Sequence, residues 1–183
     1  PIKGAGDPTF FLHTLLWAFM PWAFLAYFAL YNYTKSLIKK EPIGEYYAYL
    51  GFSFMFIVFC ISRFQLPHYL NAIFPLLAIV TAHGMLSFSR HRRFLAIFTP
   101  VQIGSAIVLL LAITVVHIYF TDAMPAPDVF LVFAVGIGLC TLIYPLKGQR
   151  LRKMIFIPAI AILLVNFYLN RAFYPILLTY QAE

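Results

Sequence analysis

The chain has 183 residues, 63% of them hydrophobic and only 10% charged, with a mean hydropathy of +0.87. Ordinary soluble domains carry charge on about a quarter of their residues, so this composition excludes a water-soluble globular protein and makes the bilayer the natural solvent. The net charge of +7 does not point to nucleic acid, because the basic residues stand in short clusters between apolar runs, with no polar face on which aromatic and basic residues alternate.

A helix that spans the hydrocarbon core needs about 20 mostly apolar residues. Six runs come within or close to that length: residues 10–31, 46–62, 69–88, 98–120, 129–146 and 154–170. Lipid offers no partner to an open backbone N–H or C=O, so each run is expected to be helical. The expected fold is an all-α membrane protein of about six transmembrane helices, forming one domain over residues 1–183. The chain opens on Pro1 and reaches its first apolar run only at Phe10, with no cleavable signal peptide in view. It therefore reads as a piece of a longer multi-pass protein.

Pro21, Pro75 and Pro158 fall inside these runs and are expected to kink or open their helices. Tyr46, Tyr47 and Tyr49 begin the second run, where amphipathic rings suit a membrane interface. Between the second and third runs the sequence turns polar: residues 61–77 read ISRFQLPHYLNAIFPLL. Two readings of this stretch stand. In one, Arg63 snorkels to the interface and Pro67 forces a turn. In the other, Arg63 brings a permanent forked charge, and Gln65, His68 and Tyr69 add donors suited to a phosphate in a half-dry interface. Further on, Pro125 and Pro127 stiffen the short 121–128 loop, and Ala134 and Gly138 form a small-xxx-small pair. Cys60 and Cys140 lie inside spans as packing residues and give no disulfide framework.

The loops alternate in charge. One set holds Lys35, Lys39, Lys40, Arg90, Arg92, Arg93, Lys147, Arg150, Arg152 and Lys153; the other set, with the termini, holds Lys3, Arg63 and Arg171. Ten basic residues against three orient the first set toward the cytoplasm. Both chain ends and the Arg63–His68 loop then face outward.

All six carboxylates, Asp7, Glu41, Glu45, Asp122, Asp128 and Glu183, fall in loops or tails, so the proton-relay residue of a transporter is missing from the spans. Phosphate-cradling glycine loops, HExxH and paired-cysteine metal spacings are also missing. His13, His68, His83, His91 and His117 are scattered; the first, second and last fall at outward helix ends, but their spacing does not require a metal site.

The segment SRFQLPHYLNAIFPLLAI resembles the S-x-x-K-L-P-x-Y stretch of polyprenyl-phosphate-dependent glycosyltransferases of the GT-C superfamily, such as lipid A aminoarabinose transferases and bacterial protein-mannosyltransferase-like proteins. DPTFFLHTLLWAFMPW and NRAFYPILLTYQ are similar to further stretches of that family, so the resemblance runs through nearly the whole chain in order. It implies a GT-C-type helical bundle fragment in a bacterial cytoplasmic (inner) membrane. Its partners would be a polyprenyl-phosphate-linked sugar, membrane lipids and the N-terminal part of the same protein, with no nucleic acid. The parent would transfer the sugar to an extracytoplasmic lipid or protein acceptor. By resemblance Tyr69 lies near the carrier phosphate, with Arg63, Gln65 and His68 beside it. The catalytic aspartate of the family precedes the part seen here, so this fragment alone is expected to be inactive. No cofactor is evident, and a divalent metal in the full-length parent is compatible with the resemblance. The sequence departs from the pattern where Gln65 replaces a lysine and where Asn71-Ala72 replaces a Leu-Pro-like pair. Two other classes stay open: a transporter or flippase fragment, and a non-catalytic membrane assembly subunit in which the polar loop is only a turn.

Overall fold

A computed structural model describes residue 7 and residues 9–62, 65–119, 136 and 149–175. Among these residues every regular element is helical. The elements are α1 (Phe10–Ala18), α2 (Ala23–Ile38), α3 (Tyr46–Ile61), a 3₁₀ turn (Pro67–Ala72), α4 (Phe74–Phe88), α5 (Arg92–Tyr119) and α6 (Arg150–Tyr168), the last running into a π turn (Leu169–Phe173). The chain divides into two compact units at Phe94/Leu95.

In the first unit, α2 and α4 form the most extensive helix pair and α3 also packs on α4. The α2–α4 pair closes where Gly84 meets Ala29, since a Cβ built on Gly84 would lie 2.8 Å from the Ala29 methyl. The core of the unit gathers Phe11, Leu15, Ala26, Phe52, Leu70, Ile73 and Leu77, all buried. In the second unit α5 packs on α6 through two buried groups: Ala106 with Ile157 and Ala161, and Ile113 with Val165, Tyr168 and Ala172.

The expectation of about six transmembrane helices needs correction. By length and composition, two helices among the described residues are long and apolar enough to cross a membrane, Arg92–Tyr119 and Arg150–Phe173. Only 22% and 33% of their apolar windows are buried, whereas the core helix of a soluble protein would be mostly covered. α3 and α4 are apolar but have 16 and 15 residues. The first run is broken into α1 and α2, because Pro21 has no N–H to give to the ladder and its ring obstructs the preceding turn. The third run starts as a 3₁₀ turn, with Pro67 and Pro75 each at the beginning of an element. The expected kink at Pro75 is therefore absent: in the first turn of a helix its missing N–H would have had no partner anyway. Pro158 does lie inside α6, and Pro100 inside α5. The run at 129–146, the Ala134/Gly138 pair and the prolines of 121–128 lie outside the described residues.

Tyr49 also departs from expectation. Tyr47 is 91% exposed and Tyr46 45%, but Tyr49 is buried beside Ala48. Its ring lies against Tyr33 of α2, and its hydroxyl is 2.8 Å from Thr34 Oγ1. One helical turn carries the three rings to different faces, and only two face outward.

Candidate functional site

Three of the four residues expected at an anion site lie in the connection from α3 to α4; the fourth, Arg63, is outside the described residues. The chain leaves α3 at Ser62 in an extended conformation. Leu66, before Pro67, is extended too, as the proline ring favours. The 3₁₀ turn then closes with the Tyr69 N–H donating to the Leu66 carbonyl at 3.1 Å.

Gln65 is half-buried and folds back, its Nε2 donating to the Cys60 carbonyl at 3.2 Å. That carbonyl is one of the four that end α3 without an intrahelical partner. Gln65 thus fastens the helix terminus with one of its two amide N–H groups. His68 is exposed and stands edge-on to Tyr69, ring centroids 5.0 Å apart at 82°. Tyr69 is half-buried, its ring against Phe59 of α3 at 5.9 Å, and Phe59 in turn meets Phe11 of α1 at 6.0 Å. Leu70 and Ile73, immediately after, are wholly buried. The turn is therefore anchored from below by Leu70, with Tyr69 fixed at its rim and His68 outermost.

The start of α1 belongs to the same neighbourhood, since α1 packs on the 3₁₀ turn. Asp7 accepts from the Thr9 backbone N–H at 2.9 Å and from its hydroxyl at 2.8 Å. These two bonds hold the Asp7 carboxyl below its ordinary range, the backbone bond contributing most, with a smaller pull from His13. His13 Nδ1 donates to the Thr9 carbonyl at 3.0 Å, so its proton is on Nδ1. In the second unit, His117 Nδ1 pairs with the Tyr168 hydroxyl at 3.3 Å. Among the described residues no group of three His, Cys, Asp or Glu side chains is arranged to hold a metal.

The sequence reading passed over a second polar group, at the far end of α4. Tyr33 of α2 and His83 of α4 are hydrogen-bonded, hydroxyl to Nδ1. Its only trace in the sequence is a polar cluster, Asn32-Tyr33-Thr34-Lys35-Ser36, and a histidine and serine four residues apart at positions 83 and 87.

No family model matches the chain, and no solved structure matches it. A curated protein of Aquifex aeolicus (strain VF5), described as uncharacterized, is 34% identical over 65 residues. The match takes in 36% of this chain and spans 12% of the length of that protein.

Proposed function

We propose that the chain belongs to the membrane region of a glycosyltransferase that moves a sugar from a polyprenyl-phosphate carrier to an extracytoplasmic acceptor. The anchored LPHY turn is the observation that supports this reading. It offers an exposed imidazole, a phenol at a fixed rim and the second amide N–H of Gln65 within five consecutive residues, 65–69. Donors held rigid at an interface suit a leaving phosphate, because they need no reorganisation as charge develops. Arg63, from the same stretch of sequence, would supply the permanent charge. The general base that activates the acceptor would come from elsewhere in the parent. Membrane residence rests on the two long apolar helices and on large apolar side chains left uncovered along them, among them Val115, Ile118 and Leu163.

The test is donor turnover in membranes holding the full-length parent, normalised to protein level. Losing a charge-assisted contact costs about 1.5–3 kcal/mol and losing a neutral one about 0.5–1.5, so Arg63→Ala is expected to slow transfer more than Tyr69→Phe. Gln65→Lys should partly restore Arg63→Ala. Turnover unchanged in both single variants would reject the phosphate assignment and leave the loop a turn.

A further inference from the structure

A cavity of about 320 Å³ lies in the first unit between the C-terminal end of α2, the turn at 39–44 and the last turns of α4. This volume is at the lower end of the range for small-ligand pockets. We infer that it binds a phosphate group, either a lipid phosphomonoester headgroup or the free anion. The site is separate from the LPHY turn and does not depend on the glycosyl-transfer reading, since residues 74–82 of α4, about 14 Å of helix, lie between them.

The chemistry follows from the hydrogen bonds on the cavity wall. His83 Nδ1 faces the Tyr33 hydroxyl, with Ser87 Oγ at 3.5 Å on the same nitrogen. A phenol is a better donor than acceptor toward a neutral imidazole, so Tyr33 donates and Nδ1 accepts. The ring proton is then on Nε2. That edge of the ring packs closely against residue 44, which has to be glycine: a Cβ there would lie 2.3 Å from both Nε2 and Cε1. Asn32 gives one amide N–H to the Phe28 carbonyl at 2.7 Å and keeps the other.

Charge completes the set. Lys35 lines the cavity and makes no ion pair among the described residues. Lys39 is 3.9 Å from Glu41, and the two side chains are 54% and 55% exposed, so that pair is weak and easily rearranged. Ser36 reaches Glu41 only at 3.4 Å. One unpaired ammonium and a spare amide N–H thus line a space together with Lys39, whose charge offsets that of Glu41 on the same wall. A phosphomonoester, with two charges and several acceptor oxygens, fits that set better than a neutral or zwitterionic group.

Native mass spectrometry of the full chain in detergent micelles, with added phosphatidate or phosphatidylcholine, tests the site. Phosphatidate should be retained selectively. Lys35→Ala should weaken it about tenfold, the loss expected for one charge-assisted contact, and Lys35→Arg should restore most of it. Lys40→Asn is the control: it removes a charge from the same turn but does not line the cavity, and asparagine tolerates the positive φ of 57° found there. Its effect should stay within about twofold, as expected for an exposed charge. Competition by inorganic phosphate then separates the sources: displacement assigns the free anion as a ligand, and resistance assigns the lipid. Equal weakening by Lys35→Ala and Lys40→Asn, equal retention of phosphatidylcholine, or no retention of phosphatidate by the unaltered chain would overturn the proposal.

Discussion

Gln102 is wholly buried in α5, and neither its amide nitrogen nor its amide oxygen has a partner among the described residues; the Thr99 hydroxyl, three residues earlier, is in the same position. A buried polar group left unsatisfied costs about 1–3 kcal/mol, and no hydrogen bond offsets that here. Gln102→Leu, close in volume, is therefore expected to raise stability by about 1–3 kcal/mol, read as a higher unfolding midpoint in detergent. A drop in the midpoint would show that the amide does have a partner. Ser105 is a useful contrast, for it is also buried but donates to the Val101 carbonyl at 2.9 Å, so Ser105→Ala should change the midpoint far less. At the other end of the chain, Asp7 shows how a single residue responds to pH. Its folded-state pKa is lowered, so the tie to Thr9 is fully present above the ordinary aspartate value of about 3.9 and is lost as pH falls through the lower folded value. Protection of the Thr9 amide from hydrogen exchange, measured against its intrinsic rate, should hold down to about pH 4 and be lost as the pH falls further through the lower folded value. Asp7→Asn should flatten that pH dependence.

At the scale of elements, helix termini separate what the sequence makes legible from what it hides. The apolar runs at 46–62, 98–120 and 154–170 coincide closely with α3, α5 and α6, because apolar length alone is enough to demand a helix in lipid. The disruptions at Pro21 and Pro67 were legible, but the start of α4 at Pro75 was not, since the effect of a proline depends on whether it falls in the first turn or the interior of a helix. Tyr33 and His83 are 50 residues apart, so no local pattern could pair them, and the same holds for the placement of Tyr49 beside Thr34. The LPHY turn could be foreseen as a turn, but not that Gln65 would fold back on Cys60. The basic residues at helix starts carry a different message. α5 begins with Arg92 and Arg93, α6 with Arg150, Arg152 and Lys153, and neither has an acidic residue in its first turn. Cations there oppose the helix dipole, at about 0.3–1 kcal/mol each. Helix stability does not account for their position; an orientation set by basic loops would. Packing between elements gives a sharper test in the glycines. Gly84→Ala would force the α2–α4 pair apart at the Ala29 methyl and should cost about 1–3 kcal/mol, as overpacking does. Gly104 has open space where a Cβ would go, so Gly104→Ala should instead stabilise α5 by up to about 1 kcal/mol. Opposite shifts of the unfolding midpoint are expected, and shifts of the same sign would reject this account of the packing.

For the whole molecule, helix length decides how the two units can meet a bilayer. At 1.5 Å per residue, α5 with 28 residues reaches about 42 Å and Arg150–Phe173 with 24 residues about 36 Å, more than the roughly 30 Å of hydrocarbon. In the first unit α2 and α3, 16 residues each, reach only about 24 Å, and α4 with 15 about 22 Å. A helix this short crosses only if flanking residues extend it or the bilayer thins. The 3₁₀ turn of six residues ahead of α4 supplies up to about 12 Å at 2.0 Å per residue, which makes the missing length available where the sequence run at 69–88 required it. His68 lies in that turn and Arg92 just beyond the other end of α4, and both are exposed. They therefore bracket the segment that must cross if the charge asymmetry sets orientation. Single cysteines at these two positions, in a chain with Cys60 and Cys140 replaced, should differ toward a membrane-impermeant maleimide added to intact cells. His68→Cys is expected to label from outside, and Arg92→Cys only after the membrane is opened. The reverse pattern would invert the orientation, and labelling of both from outside would mean that α4 lies in the interface without crossing it.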